Sequence, residues 1–503
     1  MTPKFHRLQT GQLREFARVA SSATSPTLMP SEFWHIYIKL DFQKRYENAE
    51  NKEDGRSFVK NVARAASAAE ITLRQEDGLV IEVQGSVIHC LILDQSGDTN
   101  LVRQQCRAIN NALHFVFSDA SIVEGWRMTA DWGKTLLVRG RGIHNDDSYV
   151  SLGNAANAPA KHLYAQLARP SEGERQLKRY TLGWRRGSQS PWFHEPLPVR
   201  IDEEFQKRGS TELSTAKAKD FSVTSAFTKQ ARAAPGIHSG GELIQLSANP
   251  SVQTQEEPSV HFGWVMRADL DGFTARVEGC YDDDSKLLRL GQDFEAIMDT
   301  AARFAAQHDE LLIQLPWAGD NFTAVVTFSN RDAYQDAIER RYIEFSLDFD
   351  DALRDVTRAA ALPGWAQTTA GGDVHGNAQG NVYVGSVEFE GRRFLIGAGQ
   401  GVGRSAQAFS DMNPVVEELV ILDEDYPLLL KPYQSEFANR RKHDGGDSTL
   451  FRKADLARLA VAHQQIENAL VAVAKPAVSS VTLGSGAKAQ VSSRPYATQE
   501  STL

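Results

Sequence analysis

Apolar residues at Leu287, Leu290, Phe294, Ile297, Met298, Ala301, Phe304 and Ala305 recur at the spacing of a helix buried along one face. Ahead of this helix, Phe262 to Leu270 reads as a strand. Behind it, Leu311 to Leu315 and Phe322 to Phe328 read as a hairpin around Ala318-Gly319-Asp320. Asn381 to Val384 predicts a further strand, and Val402 to Phe409 the start of a late helix. The earlier part of the chain carries the same order: a strand at His35 to Leu40, a helix near Phe58 to Ala69, and a hairpin of Leu79 to Val83 and Val87 to Leu93 around Gln84-Gly85-Ser86. A helix near Leu101 to Phe117, a strand near Thr135 to Val138, and Tyr149 to Asn157 opening another helix complete it. Strand, helix, hairpin, helix, strand is the order of a mixed sheet with helices on one face, and its recurrence marks an internal duplication.

The division expected from this pattern is an N-terminal arm at 1–29, a first domain at 30–195, a connector at 196–259, a second domain at 260–435, and a C-terminal helix with a disordered tail at 436–503. The connector is expected from Gly209-Ser210-Thr211, Gly240-Gly241 and Asn249-Pro250-Ser251, and the C-terminal helix from the Ala-rich stretch near Lys453 to Val473. A chain of 503 residues is too long for one core. Its 41% hydrophobic and 24% charged residues are ordinary for a soluble protein. No apolar run approaches the roughly 20 residues that span a bilayer, and Met1 to His6 lacks a signal peptide's apolar stretch. A cytoplasmic location and no membrane partner are therefore expected. Three cysteines, Cys90, Cys106 and Cys280, fit neither a disulfide framework nor a cysteine-rich zinc site. A net charge of −9 argues against a nucleic-acid partner held by a broad basic surface. A small anionic ligand carried by metal ions stays compatible, because the ions bring positive charge locally.

The candidate chemistry lies in Asp269-Leu270-Asp271-Gly272-Phe273-Thr274 and in Gly319-Asp320. Metal-assisted attack on a phosphoryl group needs two cations roughly 3.5 to 4 Å apart. Asp269 and Asp320 on neighbouring strands can bridge them, with the Leu270 carbonyl as a further ligand. Gly272, Phe273 and Thr274 put backbone amides at a helix start, where the β- and γ-phosphates of a nucleotide can dock. Asp271 is read as a turn or helix N-cap residue. Each motif alone is a common Asp-Gly turn or Gly-Asp hairpin; together, in this element order, they are far more specific. The upstream copy, Ile38-Lys39-Leu40-Asp41-Phe42 with Gly85-Ser86, has Lys39 and Ser86 where the metal ligands stand, so only one copy is expected to bind metal.

This combination resembles the class III nucleotidyl cyclases, whose domains carry an Asp-Ile-x-Gly-Phe-Thr strand end and a Gly-Asp hairpin. The resemblance implies an α+β fold: two ferredoxin-like, palm-type mixed sheets with helices, paired as a pseudo-heterodimer. It also implies a site shared between domains, in which the partner supplies an Asn and, one helical turn later, a basic residue. The first domain has Asn157 and Lys161 in those slots, lysine replacing the usual arginine. The second has Gly403 and Gln407. The losses are complementary, which implies one competent composite site and one vestigial site. Asn157 would orient the ribose, and Lys161 would neutralise charge growing on the α-phosphate as the 3′-oxygen attacks and pyrophosphate leaves; their bland readings are a helix cap and a solvated surface charge.

The resemblance places base recognition at Glu82 and Val150, where the purine enzymes that take adenine have Lys and Asp. Glu82 could accept a ring N–H from guanine or uracil, and Val150 offers an apolar wall. Tyr46 is a candidate for narrowing the base pocket, or equally a packed aromatic. Viewed whole, the chain looks like the bacterial pyrimidine cyclases of the Pycsar antiphage system, specifically the uridylate cyclases. That implies a phosphorus–oxygen lyase converting UTP to 3′,5′-cyclic UMP with two Mn2+ or Mg2+ ions per site, signalling to a separate effector in antiviral defence. A guanylate cyclase and a non-catalytic nucleotide-sensing scaffold are the competing expectations. Whether the site closes within a monomer or across a homodimer is left open by the sequence.

Overall fold

The computed structural model describes Leu13, Arg14 and most residues within 30–198, 258–435 and 448–474. Residues 1–12, 15–29, 142–146, 166–179, 199–257, 372–380, 436–447 and 475–503, with shorter gaps, lie outside the description, and so do nearly all of the expected arm, connector and tail. In the first half the elements run β1 (Ser31–Phe42), α1 (Lys52–Leu73), β2 (Gly78–Gln84), β3 (Val87–Leu93), α2 (Thr99–Val116), β4 (Val123–Arg141), β5 (Asp147–Leu152), α3 (Asn154–Ala165), β6 (Thr181–Arg185) and β7 (Phe193–Pro196). The second half runs β8 (Ser259–Leu270), α4 (Phe273–Glu278), α5 (Asp284–Gln307), β9 (Leu312–Gln314), β10 (Asn321–Phe328), α6 (Arg331–Ala359), β11 (Trp365–Ala370), β12 (Val382–Phe389), β13 (Arg392–Ala398), α7 (Gln400–Met412), β14 (Glu418–Leu422), β15 (Ser448–Arg452) and α8 (Lys453–Ala474). Each half folds around its own mixed sheet, seven-stranded with β1 central and eight-stranded with β8 central.

The duplication is exact in register at the centre of each sheet. Lys39 pairs with Val87, the residue after Ser86, as Asp269 pairs with Asn321, the residue after Asp320. The Leu40 amide donates to the Ser86 carbonyl at 2.9 Å and the Leu270 amide to the Asp320 carbonyl at 3.3 Å. On the other side of the central strand, Leu40 faces Trp126 and Leu270 faces Trp365. Gly85 and Gly319 both turn their hairpins with positive φ, 54° and 60°, a conformation that costs glycine nothing.

Alternation along β1 and β8 separates two faces. Trp34, Ile36, Ile38 and Leu40 enter a core under α1 and α2, and Trp264, Met266, Ala268 and Leu270 enter one under α5 and α6. Each core is completed by the other half. Tyr383, Val387, Phe389, Phe394 and Ile396, from the β12–β13 arm, are buried in the first half's core. Leu136, Val138, Tyr149, Val150 and Leu152, from the β4–β5 arm, are buried in the second's. Small residues make room for this exchange. A Cβ on Gly55 would lie 2.4 Å from the Tyr383 ring, and one on Gly291 would lie 2.5 Å from a Leu136 methyl carbon. Five large apolar side chains per arm, at about 1.5 to 3 kcal/mol each, make the two halves mutually dependent. Buried Arg392 locks the second arm, its Nη2 lying 3.2 Å from Glu70 Oε1 while Nη1 donates to the Val80 carbonyl. Arg14 joins the same carboxylate at 2.9 Å, and Lys134 reaches Asp284 across the halves at 2.8 Å.

All three cysteines are free and buried. Among the described residues no helix is long and apolar enough to cross a membrane.

Candidate active site

Asp269 is the penultimate residue of β8, and Asp320 sits in the turn between β9 and β10, one residue before Asp269's ladder partner Asn321, so the strand pairing brings the two residues to neighbouring positions. The consequence is electrostatic. Asp320 is pushed well above the usual carboxylate range, first by burial and then by Asp269. Asp269 is raised by burial and by Asp271, against the opposing pull of Asn321 and Arg267. Asn321 Nδ2 lies 3.4 Å from Asp269 Oδ1, and Thr323 Oγ1 donates to Asn321 Oδ1 at 3.1 Å, which fixes the amide. Two neighbouring carboxylates, Asp320 raised by the charge of Asp269, are the type of donor that could hold a hard divalent cation. Mg2+ characteristically takes one or two protein carboxylates and completes its shell with water and substrate phosphate. Among the described residues no cluster of three or more His, Cys, Asp or Glu is poised to hold a metal, so those remaining ligands have to come from carbonyls, water or substrate.

Lys161 acts on Asp320 from the other half. It is an exposed residue of α3, and its positive charge pulls Asp320 back down. The helix is held against the first sheet by the Thr129 hydroxyl, which donates to the Pro159 carbonyl at 2.9 Å. Gly153, at its start, lies so close to the Lys134 carbonyl that a Cβ would come within 2.5 Å. Asn157 lies inside α3, half-buried, and so is not its cap.

Gly272 has φ 72° and is itself the N-cap of α4, with no side-chain cap bond to the first turn. Asp271 is therefore a turn residue, its amide donating to the Gly364 carbonyl at 3.0 Å, and not the cap. Phe273 is buried against Phe294, anchoring the turn, while Thr274 is half-buried.

The corresponding frame of the first half has no carboxylate at either position. Lys39 Nζ donates to Ser86 Oγ, a cation and a hydroxyl standing where the second half has two carboxylates. Tyr46 is buried in the first half's core with the Arg45 guanidinium 4.5 Å from its ring centroid. The structure thus does not group Tyr46 with Glu82 and Val150.

Glu82 and Val150 lie on the face of the first sheet that α3 covers. Val150 packs in the shared core with Leu79, Ile81 and Leu91. Glu82 stands opposite His89 in the strand register, His89 Nδ1 lying 3.5 Å from Glu82 Oε2. Tyr37 stacks on His89 with ring centroids 3.9 Å apart. His89 Nε2 and His35 Nδ1 are 3.0 Å apart, and His35 Nε2 is 2.8 Å from Thr135 Oγ1. Burial pushes Glu82 up to about 8 and His89 down to about 3, so the pair is largely uncharged at neutral pH. Neither histidine, nor Asn321, is marked in the sequence by a motif. Only the alternation of β1, which puts His35, Tyr37 and Lys39 on one face, could have singled out His35.

The architecture is similar to that of a class III adenylyl cyclase-like ATP-binding protein from Pseudomonas aeruginosa, at 15% identity and a TM-score of 0.56 over 90% of this chain and 93% of that one. The fold is that of two class III cyclase-like domains in one chain. Smaller similarities are to the guanylyl cyclase Cya2 (17% identity, TM-score 0.25, 33% of this chain and 77% of that one) and to the adenylyl cyclase CyaB from P. aeruginosa (14%, 0.26, 34% and 82%). No protein-family model matches the chain, and no curated protein does. In this frame Asp269 and Asp320 belong to the second domain and Asn157 and Lys161 to the first.

Proposed function

We propose that the protein is a nucleotidyl cyclase that converts UTP to 3′,5′-cyclic UMP and pyrophosphate, as the source of a second messenger read by a separate effector in antiphage defence. What supports this reading is the register that brings Asp320 next to Asp269 in the second half, together with Lys161 of the first half, whose charge lowers the raised Asp320. Asp269, Asp320 and the Leu270 carbonyl are assigned as ligands of two divalent cations, Mn2+ or Mg2+. When bound, these cations supply Lewis acidity to the attacking 3′-oxygen and to the triphosphate.

The chain's own residues then do the following. Asn157 hydrogen-bonds the ribose so that the 3′-oxygen points at the α-phosphorus. Lys161 offsets the negative charge that grows on the α-phosphate as the bond to the bridging oxygen of pyrophosphate breaks. As a compact ammonium it gives one point of charge, not the planar fork of arginine. The amides around Gly272, Phe273 and Thr274 receive the β- and γ-phosphates, and Glu82 and Val150 border the base.

The test is incubation of the purified protein with ATP, GTP, CTP and UTP in turn, with Mn2+, and identification of any cyclic product by mass. Cyclic UMP with stoichiometric pyrophosphate is expected from UTP; cyclic GMP alone would move the assignment to a guanylate cyclase. A second reading, a nucleotide-sensing scaffold, is favoured by the likeness to a protein described as cyclase-like and ATP-binding. Tight nucleotide binding without pyrophosphate release from any of the four would select it.

A further inference from the structure

The first half buries a chain of polar side chains that no structural need of the sheet explains. Thr135, His35 and His89 run as a hydrogen-bonded line, all of them essentially inaccessible to solvent. The line ends at His89 Nδ1, which has no hydrogen-bond partner among the described residues and faces Glu82 at 3.5 Å. An unsatisfied buried nitrogen costs about 1 to 3 kcal/mol, a penalty that a ligand supplying the missing partner would remove. Tyr37, stacked flat on the imidazole, stops the ring from turning away.

The second half supplies the control. By the shared strand register, His35, Tyr37, Glu82 and His89 correspond to Val265, Arg267, Leu315 and Thr323. Val265 and Leu315 there join Ile313, Val325 and Leu395 in a closed aliphatic cluster. The polar line is present only in the half that carries Asn157 and Lys161.

We propose that His89 is a base-reading residue that works with Glu82, held in one tautomer by His35 and Thr135. This deepens the cyclase reading and rests on it for the location of the nucleotide. In the assigned chain, Thr135 Oγ1–H donates to His35 Nε2 and His35 Nδ1–H donates to His89 Nε2, leaving the remaining proton on His89 Nδ1. A donor at His89 beside an acceptor oxygen at Glu82 matches the imide edge of uracil, with O4 received by His89 and N3–H by Glu82. Cytosine reverses both polarities, bringing an amino group to His89 and a lone pair to Glu82. His89 and Glu82 thus touch substrate, whereas His35, Tyr37 and Thr135 are positioning residues.

The test measures binding of non-hydrolysable UTP and CTP analogues by calorimetry with Mn2+, alongside cyclisation of UTP and CTP, for the wild type, His89→Leu and Thr135→Val. His89→Leu is expected to lose about tenfold to a hundredfold in affinity for the UTP analogue, a charge-free hydrogen bond plus its unpaired partner, with little change for the CTP analogue. The loss is expected in KM more than in kcat. Thr135→Val, nearly isosteric, should shift the same ratio in the same direction by a few-fold and serves if His89→Leu melts early. An equal loss for both nucleotides, an unchanged ratio, or no binding of either analogue by the wild type overturns the assignment. A uracil preference in binding that His89→Leu abolishes, without turnover by the wild type, would keep the base reader and remove the cyclase; turnover of UTP with the ratio unmoved would do the reverse.

Discussion

The two halves present corresponding faces that have diverged in opposite directions. On the first, His35, Tyr37, His89 and Glu82 form a polar stripe beside the helix bearing Asn157 and Lys161. On the second, the corresponding ground is filled by Val265, Ile313, Leu315, Val325, Val382, Val384 and Leu395, with Val402 of α7 packed on top. Carboxylates behave inversely: Asp269 and Asp320 stand in the second half, and a Lys39–Ser86 hydrogen bond replaces them in the first. Under the proposed composite site, a duplicated fold needs only one of each half-site. The surplus copies are then open to replacement by residues that cost less, an aliphatic core for a polar pocket and a neutral-with-cation pair for two repelling acids.

The largest expected effect comes from the carboxylates. Asp320→Asn should reduce cyclic nucleotide formation on the order of a thousandfold while leaving the circular dichroism spectrum unchanged. The same variant bears on stability. Burial and Asp269 both disfavour the Asp320 carboxylate in the folded state, so ionised Asp320 destabilises the metal-free protein. Asn removes that repulsion, and the metal-free variant should melt higher than the wild type. Adding Mn2+ should raise the wild-type midpoint by mass action and move the variant's little. A variant that melts lower without metal, or gains as much from Mn2+ as the wild type, would detach these residues from cation binding.

Lys161 comes next. Lys161→Ala is expected to lower kcat by about a hundredfold with KM changed little, because its charge acts on the transition state more than on bound substrate. Lys161→Arg should retain activity. Should the alanine variant raise KM alone, Lys161 would be a substrate anchor and the division of labour between the halves would need redrawing.

Much of the repeat was legible in the sequence because it is written in short-range patterns. The alternation of β1 and β8 and the Gly-Ser and Gly-Asp turns make Lys39 the counterpart of Asp269 in the repeat, and the strand pairing agrees. The helical period from Leu287 to Ala305 falls within α5. What stayed hidden depends on contacts distant in sequence. The strand expected at Thr135 to Val138 lies toward the far end of the 19-residue β4, where Leu136, Leu137 and Val138 are all buried in the second half's core and so lose a simple alternation. The 29-residue α6 went unread because its apolar face is interrupted by acidic and basic pairs. The exchange of arms leaves no local trace, since Tyr383 and Phe394 look like any core aromatics until the first half is seen around them. The fold was thus readable as two units, and their mutual completion was not.

That completion predicts an effect of middling size. Arg392 and Glu70 are both buried, and replacing only one leaves the other's charge without a full set of partners. Arg392→Met should cost about 3 kcal/mol, the low end for breaking a buried pair, because Arg14 still reaches Glu70. A denaturant titration would read it. Activity should fall with it under conditions where the halves separate, since neither core is closed without the other's arm.

The smallest effect is expected at Lys39. It corresponds to Asp269 in register, but the face beside the second half's late helix is already closed by Val265, Leu315 and Val402, so a nucleotide has no space there. Lys39→Met should therefore leave cyclase activity within about twofold and stability within about 1 kcal/mol, the usual scale for a partly exposed polar contact. Restoring the lost ligands, with Lys39→Asp and Ser86→Asp together, should still give one bound nucleotide per chain by calorimetry. Two per chain would mean that the aliphatic cluster yields to ligand, and that the second site was lost through its carboxylates alone and not through the filling of its pocket.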